Sequence, residues 1–288
     1  MPMTVSVYRK MAPARTASRA ARPGARGRDG SAAKTADRTL DVFELFANEQ
    51  RPLNLSEIAA RLAIPLASAH ALLKTLEARG YLFDVGQRRG YFPTTRMQGV
   101  VQAIVRALPL ASAVEPALRA LRDETGETVV LAKRQGDQLL YVAVFESPCT
   151  VRFSSVAGEV KPLHSTSSGK ALLSALPREE LAATLAELRF DRRTAATVLD
   201  PGELARQIER GRARGWCRSV GENAAELMAV SAPVRIGAET YAVTLGGPTG
   251  RFRPRTARHV AALLRTCARV EGRTAGEGAA RRRRDAES

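Results

Sequence analysis

From Asp37 onward apolar residues recur at helical spacing. Leu40, Phe43 and Ala47 fall at i, i+3 and i+7, and Val42 and Phe46 widen that face. The pattern predicts a first helix of about ten residues. Asn54-Leu-Ser-Glu57 comes next, a spacing at which the Asn54 side chain can accept from the third helical N–H while Glu57 reaches back to the Asn54 backbone. The short helix opened there is interrupted at Ile64-Pro65, because proline disfavours a helical conformation in the residue before it. A third helix then runs from Leu66 and stops at Gly80. Its inward face is Ala69, Leu72, Leu73 and Leu76, which leaves Leu66, Ala67, Ser68, His70, Ala71 and Lys74 nearer the outside. Two helices across so short a break are the signature of a helix-turn-helix. Tyr81-Leu-Phe83 and Tyr91-Phe-Pro93 then read as two short strands joined by a turn with Arg88 and Arg89 at its tip. Guanidinium groups bind phosphate oxygens in a fixed fork, so such a wing suits a nucleic-acid backbone. Residues 37–93 are therefore expected to form a winged helix-turn-helix that binds double-stranded DNA, with Ser68, His70, Lys74, Arg88 and Arg89 as candidate contacts. The competing reading is a small three-helix module with a hairpin, its His70 and Lys74 merely solvated.

Beyond residue 93 the pattern changes twice. Two helical stretches separated by Pro109 predict a linker helix over 94–108 and the first helix of a second domain over 109–272. Thr-Val-Val-Leu131 to Phe145 then alternates about a Gly-Asp turn, and Leu227 to Gly247 alternates about Gly237, so both read as β-hairpins. Helices fill the space between them. The plainest of these starts at Asp200-Pro201-Gly-Glu203, with aspartate at the cap and proline at the first helical position, and ends at Gly215. A last helix sets Val260, Leu263, Leu264 and Cys267 at i, i+3, i+4 and i+7, which makes Cys267 a core residue. The expected fold class is α+β: a winged helix, a linker helix, and a domain with an antiparallel sheet flanked by helices, able to enclose a small-molecule pocket.

Composition narrows the function classes. The formal charge is +16, yet residues 37–93 carry seven acids and seven Lys/Arg, whereas residues 1–36 carry eight Lys/Arg against one acid. Much of the excess lies in an Ala/Arg/Gly/Pro-rich arm expected to be disordered, either a phosphate-binding arm or a solubilising tail; residues 273–288 are expected to be a disordered tail. The N-terminal stretch lacks the apolar core of a secretory signal, and no run approaches the ~18 apolar residues of a membrane span. Cys149, Cys217 and Cys267 are odd in number and widely spaced, with only three histidines beside them, so neither a disulfide framework nor a metal site is expected. The chain reads as cytoplasmic, without a membrane partner or a cofactor.

The stretch Pro162-Leu-His-Ser-Thr-Ser-Ser-Gly-Lys170 raises the question of a phosphate loop. The nucleotide-binding spacing requires glycine where this chain has His164 and Ser or Thr where it has Ala171, so the motif fails. What remains is a run of hydroxyls before a helix whose first N–H groups are free. A helix N-terminus favours anions, including carboxylates; equally, the hydroxyls can simply cap the helix.

The succession of a winged helix, a linker helix, PLHSTSSGKALLSALP, GWCRSVGENAAELMAVSAPV and TLGGPTGRF resembles the IclR family of bacterial transcription regulators over about residues 37–272. The resemblance implies a DNA-binding domain joined to an effector domain related to ligand-sensing GAF modules, assembled as dimers or tetramers. It places the effector cavity at Thr166, Ser167, Ser168 and Gly169, and at Ser219, Ala229, Thr244 and Gly246. Relatives that sense small keto acids tend to carry Asp, Cys and Ser at the last four positions, so this pocket is less polar, and its expected ligand is a mostly apolar or aromatic molecule with one carboxylate or carbonyl. The leading function is an effector-responsive DNA-binding regulator of a metabolic or catabolic operon. Alternatives are a regulator that has lost its ligand response, and a hydrolase or acyltransferase using His164 as base. The last lacks an orienting acid and a Gly-x-Ser-x-Gly elbow, so no enzyme activity is expected.

Overall fold

The computed structural model describes residues 34–86, 89–107 and 109–286, so the basic arm lies almost wholly outside the described residues. Three helices come first: α1 (Lys34–Glu49), α2 (Leu55–Leu62) and α3 (Leu66–Ala78). α1 begins ahead of Asp37 and spans 16 residues, longer than its apolar spacing suggests, because Lys34, Thr35 and Ala36 extend it as an exposed first turn. At α2 the capping box forms: Glu57 N donates to Asn54 Oδ1 (2.9 Å) and Asn54 N to Glu57 Oε2 (2.8 Å). Ala63 ends the helix in the left-handed region at φ 53°. The two-stranded wing pairs β1 (Leu82–Asp84) with β2 (Tyr91–Pro93), and Val42, Phe46, Leu53, Ile58, Leu73, Leu76 and Leu82 form the core of this domain.

α4 (Arg96–Ala107) and α5 (Pro109–Thr125) follow, with Pro109 itself as the first residue of α5, where its missing N–H costs nothing. The second domain is one antiparallel sheet of six strands in the order β5-β4-β3-β8-β7-β6. These are β3 (Thr128–Gln135), β4 (Gln138–Phe145), β5 (Val160–Pro162), β6 (Cys217–Val220), β7 (Leu227–Ile236) and β8 (Glu239–Pro248). Between β5 and β6 come α6 (Ser167–Ser174), α7 (Arg178–Glu187) and α8 (Pro201–Arg214); after β8 come α9 (Thr249–Phe252), a 3₁₀ turn and α10 (Thr256–Ala286). α10 runs on over residues 273–286, an Ala- and Arg-rich stretch without proline.

Strand alternation sorts the interior into two layers. Val129, Leu131, Met228, Val230, Ala232, Val243 and Leu245 face α5 and α10. Val130, Ala132 and Ala242 face the other way, toward the layer that includes Leu172, Leu173, Leu204 and Ile208. The second layer holds the site. On that face α6 packs against β7 and β8, and two rows of residues cross the sheet beneath its first turn. One row is Ser219, Ala229, Gly246 and Thr128; the other is Cys217, Ser231, Thr244 and Val130.

Candidate DNA-binding face and ligand cavity

The outer face of α3 is made by Ala67, His70, Ala71, Lys74, Thr75 and Ala78, all exposed. His70 and Lys74 thus share the presented face, Lys74 with its ammonium 2.9 Å from Glu77. Ser68 sits at the edge of this face: it is half-buried and, with Ala71 and Thr75, lines a cleft toward Thr35, Arg38 and Phe43 of α1. At the wing tip Arg89 N donates to Gly86 O (3.0 Å), while Arg88 lies outside the described residues. Gly90, at φ 91°, lets the wing approach α2: a Cβ there would stand 2.2 Å from the Leu53 carbonyl oxygen.

The second domain contains a cavity of about 40 Å³ between the sheet and the start of α6. Thr166, Ser167, Ser168, Ser219, Ala229, Thr244 and Gly246 all line it, so segments up to 80 residues apart in sequence meet as the resemblance implied. Gly169 does not line it. The α6 backbone there lies against the chain at Leu163, and a Cβ on Gly169 would stand 2.1 Å from the Leu163 carbonyl oxygen, so this glycine permits close packing. Tyr141, Phe153, Asn223, Ala224, Leu227, Met228 and Gly247 complete the lining. None of the lining residues is charged.

Proton counting shows what the hydroxyls are doing. Thr166 caps α6, accepting from Gly169 N (3.1 Å) and donating to Pro162 O (2.9 Å). Ser231 donates to Ser167 Oγ at 2.7 Å. A hydroxyl has one proton, so the 2.8 Å contact between Ser231 and Thr244 must use the Thr244 proton, and the 2.7 Å contact between Thr244 and Ser168 must use that of Ser168. The chain Ser168, Thr244, Ser231, Ser167 is polarised one way, and successive bonds of this kind reinforce one another. Burial pushes the Tyr141 phenol well above its ordinary range, which keeps it a donor. Ser219 donates to Ser165 O (3.0 Å).

Lys170, the lysine of the Gly-Lys pair, is fully buried and turned from the cavity. Its ammonium donates to Glu222 Oε1 (2.6 Å), Glu222 Oε2 (2.7 Å) and Gln207 Oε1 (2.6 Å). Burial lowers the Lys170 pKa and raises that of Glu222, each offset by the partner's charge, as expected where desolvation competes with pairing. This settles the phosphate question from the other side: the lysine's donors are spent within the protein. His164 is buried as well, Nε2 3.0 Å from the Asp191 carbonyl and its ring against Phe190 at 5.3 Å, and burial lowers its pKa. It makes no hydrogen bond to Ser165, whose hydroxyl instead lies 3.5 Å from Asn223 Oδ1.

The sequence left Tyr141, Phe153 and Asn223 unassigned. Tyr141 sits in the middle of a hairpin strand, where alternation marks it only as inward. Phe153 and Asn223 belong to loops that no periodicity places.

Two family descriptions match this chain: "Bacterial transcriptional regulator IclR C-terminal" over residues 102–270 and "IclR helix-turn-helix domain" over residues 35–83. The HTH-type transcriptional regulator BhcR of Paracoccus denitrificans is 32% identical over 228 residues, covering 78% of this chain and 81% of the relative. The HTH-type transcriptional regulator KdgR of Dickeya chrysanthemi is 27% identical over 243 residues, covering 82% of this chain and 80% of the relative. Among solved structures, the IclR of Thermotoga maritima superposes with a TM-score of 0.71 at 22% identity, covering 82% of this chain and 97% of that one. An IclR homolog from Microbacterium hydrocarbonoxydans complexed with 4-hydroxybenzoate has a TM-score of 0.66 at 20% identity, covering 84% and 99%. No helix of the described residues is long and apolar enough to cross a membrane, and no group of three His, Cys, Asp or Glu among them could hold a metal ion.

Proposed function

The chain belongs to the IclR family of bacterial transcription regulators and is an effector-responsive DNA-binding regulator; on that premise we propose how its two sites divide the work. The exposed face of α3, with His70 and Lys74, enters the major groove, and the wing with Arg88 and Arg89 lies on the backbone, where contacts fix register without reading sequence. Two copies act together on paired half-sites. In support, α4 presents Val100 and Val101, 37% and 49% exposed, and three to four residues further on Ile104, 57% exposed, an apolar stripe of the kind that a second helix covers.

The cavity takes a small, mostly apolar or aromatic molecule bearing one carboxylate or carbonyl. The carrying observation is the make-up of its lining: hydroxyls at the start of α6 and on the sheet at Ser219 and Thr244, no charge, and a remainder left bare of polar groups by Phe153, Leu227, Ala229 and Gly246. A homologue of the same fold is complexed with 4-hydroxybenzoate, a ligand of this description. Binding controls DNA affinity only so far as the ligand prefers one of two states of the paired winged helices.

Ala229→Leu tests the assignment, since the added side chain fills the bare wall without touching α3. Ligand-induced change in operator affinity is expected to vanish in a fluorescence-anisotropy assay while affinity of the ligand-free protein stays within about twofold of wild type. A variant that still responds fully would place the effector elsewhere.

A further inference from the structure

From the cavity's polar groups we infer that Asn223 is the residue that selects the effector by its polar end, its side-chain NH2 meeting a hydrogen-bond acceptor on the ligand; the inference rests on the assignment of the cavity to the effector.

Most polar groups of the lining are occupied. Thr166 and Ser219 donate to backbone carbonyls, and the protons of Ser168 and Thr244 run along the hydroxyl chain toward Ser167. Beside the Tyr141 hydroxyl, two side-chain donors remain in the lining. One is the Ser167 hydroxyl, which accepts from Ser231. The other is the Asn223 amide, whose Oδ1 faces the Ser165 hydroxyl at 3.5 Å and whose Nδ2 carries the donors. An amide offers two N–H donors and a hydroxyl one, so Asn223 is the largest single share of this donor capacity.

The backbone around Asn223 is fixed from both sides. Lys170 holds the Glu222 carboxylate; Thr194 donates to the Gly221 carbonyl (2.6 Å) and Thr197 to the Glu222 carbonyl (2.7 Å). Leu227 N closes the turn on Ala224 O (3.1 Å). A donor presented on so constrained a loop needs little ordering on binding, the condition under which one hydrogen bond discriminates between ligands. With no cation in the lining, uncommitted donors select for acceptors: a carboxylate, or a carbonyl on a neutral molecule.

The test uses the full-length protein and two ring compounds of like shape, benzoate and benzamide, followed by ¹⁵N–¹H spectra that resolve the Asn223 NH2 pair, assigned with Asn223→Leu. In wild type the Asn223 signals are expected to move on titration with benzoate. Asn223→Asp replaces the donor by an acceptor carrying charge. It should weaken benzoate by roughly tenfold or more, the scale of a hydrogen bond to a charged group, and benzamide far less, since benzamide can donate to the new carboxylate. Melting curves of both variants show that they fold. Movement of the Ser167 and Ser168 backbone signals with Asn223 unmoved, or equal losses for both compounds in Asn223→Asp, would overturn the role of Asn223 and leave the cavity assignment standing. If neither compound moves any signal of the cavity lining, the cavity assignment fails together with it.

Discussion

The two domains of this chain handle polarity in opposite ways. In the winged helix the described core is seven apolar side chains, and the groups suited to DNA, His70 and Lys74, stand in water on α3. In the effector domain polarity goes inside: His164, Ser165, Thr166, Ser167, Ser168, Lys170, Ser231 and Thr244 are all buried. The difference follows from the partners. A duplex comes to the protein's surface and brings its own charge, so the reader needs a firm scaffold with donors outside. A small ligand has to be taken out of water, so the sensor needs donors already inside, each satisfied or aimed, because a buried polar group without a partner is costly.

That contrast predicts where a single substitution should be felt. The largest effect is expected for Lys170→Met, which leaves the buried Glu222 without its cation; breaking such a pair costs on the order of 3–5 kcal/mol. The sole tryptophan, Trp216, lies in the effector domain, so its fluorescence reports the melting of that domain. Adding Glu222→Leu to Lys170→Met should recover much of the loss, and a single variant that melts like wild type would mean that the pair is not buried in solution.

The second effect is the converse. His70→Ala with Lys74→Ala should weaken specific DNA binding by about 1–3 kcal/mol in an anisotropy titration. The Lys74–Glu77 pair is exposed and adds little to folding, so thermal stability should change little. A large drop in melting temperature with unchanged binding would reverse the roles given to the two faces of α3.

The smallest effect is a pH dependence of the effector domain. Burial lowers the pKa of both His164 and His259 below the ordinary 6.5, so the folded state favours the neutral rings. Their contribution is complete above pH 6.5 and is lost as pH falls toward the lower folded values, by at most about 1.4 kcal/mol per pH unit for each group. Stability followed through Trp216 should decline from pH 7 to pH 5, and the decline should shrink in His259→Leu.

The winged helix was legible because its information is local. A capping box, a proline break, a glycine stop and one apolar face fix α2 and α3 without reference to the rest of the chain. The cavity was legible only in part. Alternation places Ala229, Thr244 and Gly246 on one sheet face, but nothing in spacing brings β6 beside β7 or lays α6 across them; that came from the family resemblance. Asn223 and Phe153 escaped both routes. Their positions depend on loop bonds from Lys170, Thr128 and Thr194, made across long separations in sequence. Gly169 marks the opposite limit, since the family resemblance set it in the cavity and the structure has it in a tight backbone contact.

That contact has a mechanical consequence. Gly169 seats α6 against the Leu163 backbone, and Lys170 bolts the same helix to α8 through Gln207 and to the 221–224 loop through Glu222. One jaw of the cavity is therefore stiff. The opposing jaw is the segment that carries Phe153, held to the sheet by the Thr128 hydroxyl at the Phe153 carbonyl and by Arg251 at the Val151 carbonyl, with Val151 and Val156 out in solvent. For a ligand in the proposed site, thickness more than length is expected to decide whether Phe153 must shift.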